Sequence, residues 1–234
     1  ELIFDDGSLM DWPQIKYMSK VVLIGSSSAI AKALQENSER EFICFSRSNN
    51  NFDISGDLSE LDDVDNINGL VYFPGTINLK PFTMLKENDF QNDLDINFLG
   101  AVKVVKKLIG KLKEAEGASV VFISTVAASL GLPFHASISP AKAALEAYAR
   151  SMAAEYAGAK ISFNVIAPSL ADTPMAGNLL KTERLVEASK ERNPMKQIGT
   201  PSQIAKSVDY LLDAHKNWMT GQVISVDGGM INLK

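Results

Sequence analysis

Cysteine is almost missing from this chain. Cys44 is the single one among 234 residues, so no intrachain disulfide can form and a disulfide-stapled secreted scaffold is excluded. Histidine is nearly as scarce, at two residues, and no metal site is expected. There is no excess of positive charge either. Lys and Arg number 23 against 28 Asp and Glu, a net −5, and the basic residues are scattered, which removes the stripe that nucleic acid needs. No apolar run is long enough to cross a bilayer. The first nineteen residues lack the basic start and clean apolar stretch of a secretory signal, so residues 1–19 read as an extension and 20–234 as one domain. Repeats and linkers are absent as well. A reducing cytoplasm is the expected setting, with neither nucleic acid nor membrane as partner.

What is present is a chain 46% hydrophobic and 22% charged, enough to bury a sizeable core. From Lys20 onward, short apolar runs alternate with helical patterns. The runs are Val21 to Gly25, Glu41 to Phe45, Gly69 to Phe73, Ser119 to Ser124, Ile161 to Ile166 and Gln222 to Val226. Rich in Val, Ile and Phe, they suit strands buried on both faces. The expected fold is therefore α/β: a doubly wound, Rossmann-type parallel sheet with helices on both faces. Long helices are expected over Asp89 to Ala115 and Pro140 to Ala157, with Ser139 as N-cap and Pro140 at the first helical position of the second. Within it, Leu145, Tyr148 and Met152 recur at helical spacing and read as core or subunit contact.

After the first strand, Gly25-Ser26-Ser27-Ser28-Ala29-Ile30-Ala31 forms a small-residue turn that runs straight into a helix. Such a turn lets backbone N–H groups and the helix dipole meet a pyrophosphate.

Further motifs follow in register. They are Val71-Tyr72-Phe73-Pro74-Gly75, Asn97 within Asp95-Ile96-Asn97-Phe98-Leu99-Gly100, Pro168-Ser169-Leu170-Ala171-Asp172-Thr173, Asn193-Pro194-Met195 with Gly199-Thr200-Pro201, and Thr220-Gly221-Gln222 with Asp227-Gly228-Gly229. With the Gly25 turn, this series resembles the short-chain dehydrogenase/reductase family, and its C-terminal half the β-ketoacyl-thioester reductase branch. The resemblance covers Val21 to Gly229. It implies an NADP(H)-dependent oxidoreductase acting on a carbonyl or activated double bond of a hydrophobic or acyl substrate, assembled as a dimer or tetramer through the two long helices.

The family's chemistry uses a Ser, a Tyr and a Lys, with an Asn in the preceding helix. Lys142 falls on the lysine, for the nicotinamide ribose hydroxyls, Thr125 on the serine, and Asn97 is in place. The tyrosine position holds Ile138, which can neither give nor take a proton. Losing a positioned general acid costs about 10²–10⁴ in rate unless something replaces it. His135, seven residues before Lys142, is the candidate replacement, because the enoyl-thioester reductase branch keeps its tyrosine at that spacing. A water is another possibility, and Ser137 and Ser139 are weaker ones. The alternative is a catalytically silent nucleotide-binding member that serves as an assembly or regulatory partner.

Cofactor contacts carried over from the family are Gly25, Ser27, Ser28, Ile30, Gly75, Lys142, Pro168 and Thr173. The second strand ends Phe45-Ser46-Arg47, with no acid for a ribose 2′-hydroxyl and an arginine placed for a 2′-phosphate, which favours NADP over NAD. Asp53, with Asp57 competing, is the choice for the adenine-contacting carboxylate. Ala29 and Ala31 add a Cβ where the family has glycine, and the three serines of the turn are expected to supply hydroxyls in compensation. Pro174 to Lys196, with Met175, Leu179, Leu180 and Met195, reads either as an apolar lid over substrate or as a surface excursion packing its own side chains.

Overall fold

Each of the six apolar runs becomes a strand of one parallel sheet in the computed structural model, which describes residues 20–213 and 217–233. The extension at 1–19 lies outside the described residues. In chain order the elements are β1 (Lys20–Ile24), α1 (Ala29–Asn37), β2 (Phe42–Phe45), α2 (Arg47–Asn50), β3 (Ile67–Tyr72), α3 (Glu87–Leu94), α4 (Gly100–Lys113), β4 (Ala118–Ile123), α5 (Ile138–Tyr156), β5 (Ile161–Pro168), α6 (Glu183–Arg192), α7 (Pro201–Leu211) and β6 (Val223–Val226). The strands lie in the order β2-β1-β3-β4-β5-β6. Helices cover both faces, so the central strands have no solvent side, and all six residues of β4 are buried. On one face Leu108, Phe122, Leu145 and Phe163 form a core under α4 and α5; on the other, Leu23, Leu34, Val121 and Val208 pack beneath α1 and α7.

This order has a switch point. The chain runs outward from β1 to β2, then returns to lay β3 against the other side of β1. In sheets of this kind ligands bind at such a point, in the crevice outside the carboxyl ends of the strands. The connection from Phe45 to Ile67 holds only α2 and one 3₁₀ turn, Ser59–Leu61.

Both long helices differ from the sequence expectation. The first is interrupted by a π turn at Asp95–Leu99, between α3 and α4. The second starts at Ile138, so Ser139 is not its cap: its backbone N–H bonds to His135 O at 3.0 Å and its hydroxyl donates to Ala127 O at 2.8 Å. Pro140 is tolerated because first-turn N–H groups have no intrahelical acceptor. Tyr148 packs edge-on to Phe98 and tilted on Phe122, at centroid distances of 5.9 and 6.0 Å. Among the described residues no helix is long and apolar enough to cross a membrane, and no group of His, Cys, Asp or Glu could hold a metal ion.

Candidate active site

The turn after β1 is tied to the end of β2, since the N–H groups of Gly25 and Ser26 both donate to Phe45 O, at 2.8 and 3.1 Å. Gly25 has φ +78°, and a Cβ there would lie 3.1 Å from Pro74. Glycine is needed both for the left-handed backbone and for that approach. The three serines separate. Ser26 is buried and accepts from Asn49 Nδ2 at 3.4 Å, and Ser28 caps α1 by accepting from Ala31 N at 3.2 Å. Of the three side chains only Ser27 is exposed; Ser26 is buried in the turn, and Ser28, which only accepts, keeps its own proton. Ile30 lies in the first turn of α1, whose N-terminus carries the positive end of the helix dipole.

Arg47 opens α2 just beyond β2 and is exposed, while Ser46 caps that turn through Asn49 N at 3.2 Å. Asp53 and Asp57 are both exposed. Asp53 accepts from Ser55 N at 2.9 Å, which with the nearby Arg47 charge holds its carboxyl below the usual range. Asp57 accepts from Ser59 N and feels Lys107 instead, so Asp53 is the carboxylate on the Arg47 side.

The centre of the crevice is polar and closed. Lys142, 6% exposed, sends its Nζ to Ile123 O at the end of β4, 2.7 Å away. A Cβ on Gly75 would meet Asn97 Oδ1 at 3.2 Å and Lys142 Nζ at 3.4 Å, so the bare glycine, the amide and the ammonium converge on one point. Asn97 is fully buried. Its Nδ2 donates to Thr76 Oγ1 at 2.7 Å and to Asp93 O at 2.8 Å, and its Oδ1 accepts from Thr76 N at 3.3 Å. The Thr76 hydroxyl donates to Asp93 Oδ1. On the far side Ser124 donates to the buried Glu146, at 2.6 Å. Thr125 accepts from Ala127 N at 3.3 Å, which leaves its own proton free for a carbonyl oxygen.

Tyr72, Asp93, Thr76 and Glu146 escaped the sequence reading as parts of this cluster. Tyr72 is buried, and its hydroxyl donates to Ile96 O at 2.6 Å, pinning the π turn that presents Asn97. A signal for Asp93 did exist: an acid one helical turn before Asn97 shares its face.

Burial pushes the Lys142 ammonium down to about 8, while Asp93 and then Glu146 pull the other way. The folded value is below the ordinary 10.5, so between the two the unfolded chain holds a proton that the folded chain has shed. Stability from this group is lowest below that window and rises with pH through it, by roughly 3 kcal/mol at most. Urea unfolding of the parent and of Lys142→Met at about pH 7 and about pH 10 checks this. The difference should move in the parent's favour at the higher pH.

Ile138 is 5% exposed. His135 is half-buried, with Nδ1 2.7 Å from Pro133 O, in an open cleft with Leu132, Phe134 and Ser139. No hydrogen bond joins it to Asn97, Thr125 or Lys142. Ser137 is buried with its hydroxyl unpartnered. Pro168 ends β5, and Thr173 caps the turn Pro174–Ala176 by accepting from Ala176 N at 3.3 Å. In the segment that follows, Met175 and Met195 are 51% and 62% exposed, and Leu179 and Leu180 half-buried.

Fold and switch-point site together define a Rossmann-type α/β protein. Residues 59–231 match the family model described as enoyl-(acyl carrier protein) reductase, and the chain belongs to the short-chain dehydrogenase/reductase family. It is 32% identical over 152 residues to the peroxisomal 2,4-dienoyl-CoA reductase of Saccharomyces cerevisiae, a match spanning 65% of this chain and 52% of that enzyme. It is 32% identical over 146 residues to the 3-oxoacyl-[acyl-carrier-protein] reductase MabA of Mycobacterium tuberculosis, over 62% of this chain and 58% of MabA. The matches thus span little more than half the length of these relatives. Among solved structures, ElxO with NADP bound superposes with a TM-score of 0.82 at 20% identity, covering 92% of this chain and all of ElxO.

Proposed function

We propose that this chain is an NADP(H)-dependent oxidoreductase acting on a carbonyl or activated double bond of a hydrophobic or acyl small molecule. The observation that carries the reading is the convergence of Gly75, Asn97 Oδ1 and the buried Lys142 ammonium at the switch point. The residues fit a nicotinamide nucleotide, because the missing Cβ of Gly75 leaves a cradle over Lys142 and the Gly25 turn opens a helix toward the same crevice.

In this reading the backbone at Gly25, Ser27, Ser28 and Ile30 receives the pyrophosphate. Arg47 meets the 2′-phosphate and Asp53 the adenine. Lys142 holds the nicotinamide ribose, with Pro168 and Thr173 on the β5 side. When bound, the nucleotide supplies hydride. Thr125 donates a hydrogen bond to the substrate oxygen, and Asn97 and Lys142 order the protons beneath it. An acyl thioester is favoured by the names of the two relatives, which are reductases of a dienoyl-CoA and an oxoacyl carrier protein. Assembly as a dimer or tetramer through the helical faces goes with the same reading.

Fluorescence titration with NADPH and NADH tests it. NADPH should bind more tightly, and Arg47→Ala should weaken NADPH about tenfold while leaving NADH nearly unchanged, since a charge-assisted contact is worth about 1.5–3 kcal/mol. If neither nucleotide binds at about millimolar concentration, where even a weak site of a few kcal/mol fills, the reading fails.

One observation favours a second reading. The phenol position is filled by Ile138, buried and without a proton to give, as suits a nucleotide-binding partner that does not turn over. NADPH binding with no consumption on β-ketoacyl or enoyl thioesters would select it.

A further inference from the structure

Asp93 is out of place for a surface helix. Its carboxylate, 1% exposed, sits on α3 one turn before Asn97, fixed through Oδ1 by the Thr76 hydroxyl, while its backbone oxygen takes the Asn97 amide. Oδ2 is buried and has no hydrogen-bond partner. A buried carboxylate oxygen without a donor is costly unless an opposite charge faces it. Two charged groups act on Lys142, Asp93 more strongly and Glu146 less, and Glu146 is already held by Ser124. Asp93 and Lys142 form no ion pair within 4 Å; Asn97 stands between them, its amide on Asp93 O and its Oδ1 beside Lys142 Nζ at Gly75.

We propose that the Lys142 ammonium is the acid of this site and that Asp93 is the positioning residue that keeps it charged. The proposal rests on the oxidoreductase reading above. Of the three Lys142 donors, Ile123 O takes one, and Ile138, one turn earlier on the same helix, interposes no phenol between the others and the cleft. In the step, one Nζ–H bond breaks and an O–H bond forms on the substrate oxygen, directly or through one water. The substrate carbon takes hydride from the reduced nicotinamide nucleotide, which is oxidised. The neutral amine left on Lys142 recovers its proton from solvent water that reaches the cleft. His135, turned toward Pro133 O in the outer cleft, has no part in it.

The test does not need turnover. In protein carrying ¹³Cε-lysine, the resonance that Lys142→Met removes should titrate with a midpoint of about 8 in the parent. In the near-isosteric Asp93→Asn it should fall by about one unit or more, the size of a close opposite charge. Thr76→Val, which frees Asp93 without removing its charge, should lower the midpoint by less, and it keeps the test open if Asp93→Asn does not fold. The alkaline limb of NADPH consumption should move with the midpoint. A parent midpoint at the ordinary lysine value, or the same midpoint in parent, Asp93→Asn and Thr76→Val, overturns the proposal while leaving nucleotide binding intact. Failure to bind NADPH with the shifts present overturns the oxidoreductase reading instead.

Discussion

Ile138→Tyr should raise NADPH consumption on a β-ketoacyl thioester by about 10²-fold. A positioned general acid is worth about 10²–10⁴, and the low end applies where an ammonium already carries part of that duty. The residue begins α5 one turn before Lys142, so a phenol placed there rises from the same face beside the ammonium. Ile138 is buried, and the added ring will cost about 1–3 kcal/mol of stability through overpacking, so thermal unfolding should be followed alongside the rate. His135→Ala, assayed in parallel, should stay within about twofold of the parent, because its ring is hydrogen-bonded to Pro133 O and to none of the central groups, and a positioned acid would show at least about 10²-fold. A loss of that size at His135 with no gain at Ile138→Tyr would return the acid role to the histidine.

A single methyl group at Gly100 should destabilise the fold by about 1–3 kcal/mol, as insertions into well-packed interiors do. Its Cβ would overlap the Tyr72 hydroxyl and come within 3.0 Å of Ile54 Cδ1. That hydroxyl cannot move aside cheaply, since it is buried and bound to Ile96 O. In Gly100→Ala the π turn must shift, carrying Asn97 with it. Tyr72→Phe removes the obstructing oxygen at a cost of about 0.5–1.5 kcal/mol for the lost hydrogen bond. The double variant should therefore be more stable than the sum of the two single losses predicts, a coupling that urea unfolding of all four proteins measures directly. Strict additivity would mean that the two residues do not meet.

The strands were legible in the sequence because β1, β3, β4 and β5 are buried on both faces, and continuous Val, Ile and Phe are the direct mark of that. The Gly25 turn could be read because its φ of +78° leaves few residues to choose from. The start of α5 was misread: Ser-Pro looks like a cap and first residue, but here Ser139 reaches across to Ala127 O, a tertiary contact that no local pattern encodes. The bond from Asn49 to the buried Ser26 is tertiary in the same way. Asn97 and Lys142 stood out through their motifs. For Asp93 the spacing to Asn97 gives a shared helix face, but its burial follows only once α3 is laid against α5.

The short connection between β2 and β3 also bears on how copies of the protein can meet. With no strand outside β2 among the described residues, the sheet ends on one side in Phe42–Phe45 and on the other in Val223–Val226, four residues each. Edges this short offer few unpaired backbone groups to a neighbouring chain, a common safeguard against runaway edge-to-edge growth. Closed assemblies built on helix faces therefore carry less competition from open-ended β-sheet stacking, both in the folded protein and while it is being made.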